Sequence, residues 1–284
     1  MRFGFVLPFG DARFASECAR QGEAAGWDGF FVAEWVWGID AWVSLSAAAM
    51  VTERIRLGTM LTPLPRMRPW RVAAQAATLD NLSGGRVILS VGLGAPDTGY
   101  EEFGEVTDRA TRAELLDEGL DVVTGLWRGQ PFAYEGAHYR IRELSFHVPP
   151  PPIQQPRIPI WVVGAWPRPR SMRRALRFDG LLPNALDERG RQRLYTPHDI
   201  REISDFVRQH RPNGGPFDSV VDGATPGEDP GAAVAMVEPW GEAGATWWLE
   251  VTWELAAERV TPEWLRERIG QGPPPMSGRG GSGT

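Results

Sequence analysis

The chain has 284 residues and a mass of 31.4 kDa, which is enough for one large domain with a sizeable hydrophobic core. Its composition, 42% hydrophobic and 23% charged, excludes a disordered or fibrous class, and no apolar run approaches the roughly 18 to 20 residues of a membrane span. All 30 basic residues are arginines, so chemistry that needs a Schiff-base lysine or a Walker-type phosphate loop is excluded.

The net charge of −6 disfavours a broad electropositive surface for binding nucleic acid. A local arginine cluster could still hold one anionic ligand. Cys18 is the only cysteine, which excludes an intramolecular disulfide and a thiolate metal cluster, and we expect it to be a small buried side chain. The chain opens on the strand-like FGFVLPF without the features of a signal peptide. We therefore expect a soluble cytoplasmic protein with a small-molecule substrate and neither nucleic acid nor membrane as a partner.

Short β-rich runs alternate with helical stretches along the chain, which is the pattern of repeated βα units around a parallel sheet. The eight runs lie at 2–7, 29–33, 55–61, 87–92, 158–163, 180–182, 219–222 and 246–251. They predict an α/β protein with a (β/α)8 TIM barrel, whose active site lies at the carboxyl ends of the strands. A doubly wound sheet that binds a dinucleotide is the alternative, but the first turn, PFGD, lacks the glycine fingerprint.

One helix, one insertion and one tail complete the predicted organisation. Leucines and other apolar residues at helical spacing predict a helix over 109–127 with a core-facing side. Residues 132–141 predict a hairpin and 148–156 a proline-stiffened connector, together an insertion between the fourth and fifth strands. We assign 1–271 to a single domain and expect the Gly-, Pro- and Ser-rich residues 272–284 to be disordered.

Two strand ends carry side chains suited to a site. Glu34 follows the second strand, where a carboxylate can accept a ligand N–H or a proton, although capping the next helix is an equally ordinary role. After the fifth strand, VVGAWPRPRSMRRA runs through Gly164 into a helix that begins near 169–171. Backbone N–H groups and the arginines of this stretch could bind a phosphate, and the alternative is a solvated basic helix face.

Other kinds of chemistry have weaker signals. The four histidines are scattered without ligand spacing, so no metal site is predicted, and no GxSxG nucleophile motif is present. Asp97, Glu101 and Glu102 could supply the paired carboxyls of a barrel glycosidase, or they could form a solvated helix start. Trp35 and Trp166 fall at strand ends, where an aromatic side chain could face a flat ring system.

The run IRLGTMLTPLPRMRPWRVAAQAATLDNLSGGRVILSVGLGAPDTGYEEFG at 55–104 resembles the bacterial luciferase-like superfamily of flavin- and coenzyme F420-dependent oxidoreductases. The resemblance rests on LGT and TP around the third strand, on the AxQAATLDxLSGGR helix and on the GxG loop. LWRGQPFAYEGAHYRI and PPPPIQQPRIPIWVVGAW continue it in the same order. It covers residues 2 to about 182 and becomes thin after that.

The resemblance implies a luciferase-like barrel that binds reduced FMN or coenzyme F420 and passes a hydride to, or activates oxygen for, a small organic substrate. It also implies a homodimer, a non-prolyl cis peptide at Thr59–Met60 and a phosphate site behind the fifth strand. The predicted catalytic residues are Glu34 and Trp35. The predicted cofactor-binding residues are Glu34, Thr59, Met60, Gly94, Ala95, Gly164, Ala165, Trp166, Arg168 and Ser171.

The chain departs from one branch of that superfamily. Sugar-phosphate dehydrogenases of the family have a histidine where Trp35 stands and a glutamate where Ala95 stands, so their acid–base pair and their substrate are not carried over. The arginines near Arg66, Arg68 and 168–174 favour the acidic tail of F420 slightly over FMN. Two alternatives stay open, a cofactor-free barrel glycoside hydrolase and a non-catalytic flavin-binding relative.

Overall fold

A computed structural model describes residues 1–144, 147–211 and 214–276, and each barrel strand is followed by a helix. The barrel strands are β1 (Arg2–Leu7), β2 (Gly29–Val32), β3 (Arg56–Thr59), β4 (Val87–Gly92), β5 (Ile160–Trp166), β6 (Gly180–Leu186), β7 (Asp218–Gly223) and β8 (Trp247–Glu250). The helices are α1 (Ala12–Ala24), α2 (Ala41–Ala49), α3 (Pro69–Ser83), α4 (Arg109–Trp127), α5 (Pro169–Ala175), α6 (Pro197–His210), α7 (Pro230–Glu242) and α8 (Pro262–Gly270).

The eight strands pair in parallel and in chain order, and β1 closes the sheet by pairing with both β2 and β8. Gly4 lies opposite Gly29 on one side of β1, and Arg2 lies opposite Trp247 on the other. This closed parallel sheet with an outer layer of helices confirms the predicted (β/α)8 barrel and excludes the open doubly wound sheet.

The predicted boundaries are close to the observed ones. The helix over Arg109–Trp127 is confirmed, and so is the insertion hairpin, in which Tyr134–Glu135 pairs with Arg140–Ile141. β5 and β6 both continue beyond the predicted ends, to Trp166 and to Leu186. The remaining short elements are strands Thr62–Pro63 and Gln192–Arg193 and 3-10 turns Leu64–Arg66, Pro96–Thr98 and Ala257–Arg259.

Three aromatic side chains fill the barrel interior at the amino-terminal ends of the strands. The rings of Phe31, Trp161 and Trp247 lie 5.2 to 6.1 Å apart between centroids, and all three side chains are fully buried. They fit because glycines face them: a Cβ on Gly180 would lie 2.4 Å from Trp161, and one on Gly29 would lie 2.6 Å from Phe31. This packing closes the amino-terminal end of the barrel, so any cavity must open at the other end.

A buried ion pair joins the last strand to the last helix. Arg268 Nε donates to Glu250 Oε1 at 3.1 Å, and Arg268 Nη1 donates to the Gly272 carbonyl at 2.9 Å. Both charged side chains are almost completely buried. Gly272 and Pro274, at the start of the predicted tail, are buried as well. The expectation of disorder otherwise falls on residues 277–284, which lie outside the described residues.

Cys18 is fully buried in α1, and this burial raises the pKa of its thiol to about 12. The prediction of a buried, unreactive side chain is therefore confirmed. Among the helices of the described residues, none combines the length and the apolar character needed to cross a membrane.

Candidate active site

A cavity of about 970 Å³ opens at the carboxyl ends of the strands, the end of the barrel where enzymes of this architecture carry their chemistry. Residues at or after the ends of β2 to β8 line it. Its inner wall is apolar and includes Met60, Leu61, Val163, Leu182 and Val251. A cavity of this size and lining can hold a cofactor-sized ring system.

Glu34 is an acid at the cavity wall whose pKa is perturbed. It lies two residues after β2, and burial raises the pKa of its carboxyl to about 7, despite the opposing effects of the Thr62 hydrogen bond and the Arg66 charge. The Thr62 hydroxyl lies 2.6 Å from Glu34 Oε2. The carboxyl can therefore change its protonation state near neutral pH, which suits a general acid or base.

A short hydrogen-bonded chain leads from Glu34 into the barrel wall. Thr62 Oγ1 lies 2.9 Å from Thr59 Oγ1, which lies 3.4 Å from the carbonyl oxygen of Ser90. Both threonines are fully buried, and neither lines the cavity. Thr59, a predicted cofactor contact, is therefore placed behind Glu34 and supports it indirectly.

The loop after β2 is fixed at two points. Trp35 Nε1 donates to the Pro8 carbonyl at 2.8 Å, and its ring packs edge-on against Trp253 at 5.7 Å between centroids. Arg66 donates to the carbonyls of Trp35 and Val36. Trp35 thereby contributes an ordered aromatic wall to the cavity, as expected for a strand-end aromatic residue.

The non-prolyl cis peptide is present but one residue later than predicted, between Met60 and Leu61 instead of Thr59 and Met60. The reason is the hydrogen-bond register: Thr59 is the last residue of β3, and the Met60 N–H still bonds to the Val32 carbonyl of β2. The chain can therefore leave the strand geometry only after Met60. Both Met60 and Leu61 line the cavity.

The GxG loop after β4 also borders the cavity. Gly94 has φ = +79°, and a Cβ there would lie 1.7 Å from the Tyr100 hydroxyl, so only glycine fits this turn. Ala95 lines the cavity beside it. Arg112 donates to the carbonyls of Leu93 and Gly94 and so holds the loop against α4.

Four arginines, two in α4, one just before α5 and one in its last turn, lie close to one another. Partial desolvation, followed by the positive charges of Arg168, Arg112 and Arg174, lowers the pKa of the largely exposed Arg109, which stays protonated nonetheless. Asp117 pairs with Arg174 at 2.5 Å. Within the described part of the chain, neither Arg109 nor Arg112 makes a salt bridge, and the buried Arg112 Nε has no hydrogen-bond partner. Such a cluster is stabilised by an anion.

The phosphate site predicted behind β5 is only partly assembled. Ala165 and Ser171 line the cavity, and the Ala165 N–H donates to Ser171 Oγ at 2.9 Å. Gly164 faces Leu181 on the helix side of the sheet, and Trp166 packs against Phe206, so neither lines the cavity. Arg168 lies on an adjoining depression around residues 186–190.

A second acid lines the cavity and was missed in the sequence. The Asp222 side chain, near the end of β7, accepts a short hydrogen bond from the Tyr195 hydroxyl, which in turn accepts the Asp222 N–H at 2.9 Å. Burial raises the pKa of Asp222 and that of Tyr195. The two residues are 27 positions apart and share no motif, so only the folded chain brings them together.

The acids after β4 do not form a facing pair. Asp97 lines the cavity, whereas Glu101 and Glu102 are exposed outside its lining. Opposed carboxyls across the mouth, which a barrel glycosidase needs, are thus not supplied by this group.

Comparison with known proteins identifies the family. Residues 1–205 match the family described as luciferase-like monooxygenase, and the chain belongs to this family. A Mycobacterium tuberculosis protein provisionally named a coenzyme F420-dependent oxidoreductase is 36% identical over 127 residues, which cover 44% of this chain and 36% of that protein. The match thus spans little more than a third of that relative's length.

Two solved structures share the fold. The coenzyme F420-dependent tetrahydromethanopterin reductase of Methanopyrus kandleri superposes with a TM-score of 0.73 at 18% identity, covering 96% of this chain and 98% of that one. The oxygenating constituent of 3,6-diketocamphane monooxygenase from Pseudomonas putida, solved with FMN, gives 0.62 at 20% identity and covers 85% and 72%. At such identities, the similarity concerns the architecture alone.

Proposed function

We propose that this protein is an oxidoreductase that uses coenzyme F420 or FMN, in reduced form, for hydride transfer to, or monooxygenation of, a small organic substrate. The observation that carries this proposal is one cavity that combines an apolar inner wall with Arg109 and Arg112, neither of which makes a salt bridge within the described residues. A flat apolar ring joined to a phosphate matches both features.

Different residues would bind the phosphate and the ring of the cofactor. Arg109 and Arg112, with Arg168 and Arg174 nearby, would hold the phosphate, and Met60 and Leu61 would back the ring. Such a cofactor supplies a hydride or, as a flavin, a means of activating oxygen. The protein then contributes orientation and exclusion of water, since the aromatic floor leaves the cavity open at one end only.

Glu34 would act as the general acid or base of the reaction. With a pKa of about 7, its carboxyl can take up or release a proton at the cavity wall near neutral pH. In the ionised form, Oε2 accepts the hydrogen bond of Thr62, and in the protonated form the Thr62 oxygen can accept from Glu34 instead. The threonine pair therefore holds the carboxyl in one position in both states.

Coenzyme F420 is favoured over FMN by the arginine cluster, which extends towards the outside through Arg168 and suits a longer acidic tail. The name of the Mycobacterium tuberculosis relative supports the same choice. FMN is the second candidate, because the structure from Pseudomonas putida contains it on this fold. The family membership does not favour the glycoside hydrolase alternative.

The decisive experiment is a parallel titration of the purified protein with F420 and with FMN, followed by the change in cofactor and tryptophan fluorescence. We expect saturable binding of F420, with weaker binding of FMN. Preferential binding of FMN would move the proposal to oxygen activation, and binding of neither would overturn it. The predicted homodimer and cytoplasmic location stay predictions.

A further inference from the structure

One amide side chain in the cavity wall makes no hydrogen bond within the described part of the chain. Asn184 lies on β6 two residues after Leu182, so both side chains point into the barrel interior. Leu182 belongs to the same buried cluster as the aromatic floor, and Asn184 lies one layer closer to the cavity mouth. Its register partner on β5 is Ala165, whose side chain offers the amide no hydrogen-bonding atom.

The two ends of this amide differ in their surroundings. Asn184 Oδ1 is completely buried and has no partner among the described residues. Such an oxygen destabilises the folded state, because it has lost its hydrogen bonds to water without gaining others. Nδ2 also has no partner there, but it is not buried, and the side chain lines the cavity. The N–H groups of Nδ2 are therefore donors that face the cavity and that the protein itself does not use.

The other carboxyl, amide, guanidinium and hydroxyl side chains of the cavity wall have partners or contact solvent. Most make hydrogen bonds within the protein, as Ser171 and Arg193 do. Those that make none within the described ranges are exposed to solvent: Asp97, Arg109, Gln192 and Glu254. Among these side chains, Asn184 is the half-buried one in which no polar atom has a partner. Neither the fold nor solvent therefore accounts for an amide at this position.

The position of Asn184 is across the barrel from the residues that would back the cofactor ring. In the closed sheet, two strands separate β3 from β6 on one side and four on the other, so β3 and β6 face each other across the interior. Met60 and Leu61 follow β3 and line the cavity. A ring that lies against them turns its other face towards β6. The space between that face and Asn184 is where a substrate would lie.

We propose that Asn184 binds the substrate, with Nδ2 donating a hydrogen bond to a neutral acceptor oxygen, such as that of a carbonyl, on an otherwise apolar molecule. This inference rests on the proposed function, since it names the substrate class of the same cavity. The apolar remainder packs against Val163, Leu182 and Val251. One amide dipole does not offset the desolvation of an anion against such a wall, so the acceptor is neutral. A molecule without the oxygen leaves the amide unpaired, and the site selects against it.

Two probes of matched shape test the inference: acetophenone and 2-phenylpropene, which differ in having a carbonyl oxygen or a methylene group at the same place. Their affinities for the full chain are measured by ligand-observed NMR titration. We expect acetophenone to bind about fivefold more tightly, which corresponds to one hydrogen bond between neutral groups. Equal affinities, or tighter binding of 2-phenylpropene, would overturn the inference.

A variant of Asn184 separates a role in binding from a role in the fold. Asn184→Leu replaces the amide by an apolar group of similar size and should weaken acetophenone about fivefold while changing 2-phenylpropene little. Its Tm should rise by ~2 °C, because the buried oxygen without a donor is gone. An amide that serves the fold would instead give a lower Tm on replacement.

Gln192→Leu is the matched control, because it removes an exposed amide from the lining of the same cavity, and it should change neither the affinities nor the Tm. A lower Tm or an unchanged acetophenone affinity in Asn184→Leu would contradict the assignment. If that variant fails to fold, the ranking of the two probes on the unmodified protein still decides.

Failure here is distinguishable from failure of the proposed function. The probe titrations need no cofactor, and the cofactor titration needs no probe. Binding of F420 with no preference for acetophenone would leave the oxidoreductase and remove the role of Asn184. Preference for acetophenone without binding of F420 or FMN would leave the role of Asn184 and remove the proposed chemistry.

Discussion

The Thr62 hydroxyl lies 2.6 Å from Glu34 Oε2 and 2.9 Å from Thr59 Oγ1. A hydroxyl has one hydrogen to donate, so its direction depends on the state of the carboxyl. When Glu34 is ionised, Thr62 donates to it and can accept from Thr59. When Glu34 is protonated, Thr62 accepts and can pass its own hydrogen to Thr59, whose hydroxyl can then turn to the Ser90 carbonyl. The pair thus stabilises either state without movement of heavy atoms.

The raised pKa of Glu34 predicts a pH-dependent stability. From its ordinary value of 4.5, the pKa rises to about 7, so the folded protein binds more protons than the unfolded chain between these values. The free energy of unfolding should therefore fall as pH rises through this window. Glu34→Gln removes this loss and should be more stable than the unmodified protein above pH 7, by up to about 3 kcal/mol, and similar to it below 4.5.

Urea unfolding of both proteins across this pH range measures the difference. Glu101→Gln, at an exposed glutamate outside the cavity lining, is the matched control: it keeps Glu34, so its stability should follow that of the unmodified protein across the pH range. A constant gap between Glu34→Gln and the unmodified protein at all pH values would show that Glu34 does not titrate as stated.

Arg109→Gln should weaken binding of a phosphate-bearing cofactor without destabilising the fold. The side chain is exposed and lies among like charges, so its loss also relieves repulsion. We expect about a tenfold increase in Kd at low salt and a smaller one as ionic strength rises. Fluorescence titration measures the Kd. Arg13→Gln, on the exposed face of α1, is the control, and an equal effect in both variants would point to net charge alone.

Arg268→Met should be strongly destabilising, by about 3 to 5 kcal/mol, because it leaves the Glu250 carboxyl buried without its cation. Burial already raises the pKa of Glu250. The comparison is Arg208→Met, which breaks the exposed pair with Asp205 and should change stability by less than about 0.5 kcal/mol. Chemical unfolding at neutral pH gives both values, and similar losses would contradict a special role for the buried pair.

Gly180→Ala should disturb the aromatic floor. The new Cβ would lie 2.4 Å from Trp161 Cδ1 and 2.9 Å from the backbone oxygen of Asp218, so the strand or the ring must shift. We expect a loss of about 1 to 3 kcal/mol. Gly215→Ala is the control, since among the described residues no heavy atom lies within 4 Å of its added Cβ. Thermal unfolding of the two variants should separate them clearly.

Most of the barrel was predictable because its signals are local. Apolar runs between helices predicted all eight strands, and the periodic stripe predicted α4 over Arg109–Trp127 with its observed bounds. The position of the cis peptide was not predictable to the residue, since it depends on which N–H of β3 still bonds to β2. The end of β6 was missed because Pro183 resembles the end of a strand, and the end of β5 because Gly164 resembles the start of a loop.

The candidate site was predictable only where it lies next to a strand. Glu34, Trp35 and Ala95 follow strand ends and do line the cavity. Arg109 and Arg112 belong to α4, and the apolar periodicity of this helix indicates which side faces the core but not which arginines face the cavity. Asp222 and Tyr195 belong to separate segments, in the part of the chain where the family resemblance is thin. Their pairing depends on the partial separation of β6 and β7, which no local pattern records.

The aromatic floor of Phe31, Trp161 and Trp247 has a kinetic consequence. A cavity that opens only at the carboxyl ends of the strands has one route of access. A product must therefore leave by the route through which the substrate entered. Trp37 and Phe103 stack at 6.5 Å between ring centroids on the loops that follow β2 and β4, outside the cavity lining. Release of one bound molecule would then have to precede entry of the next.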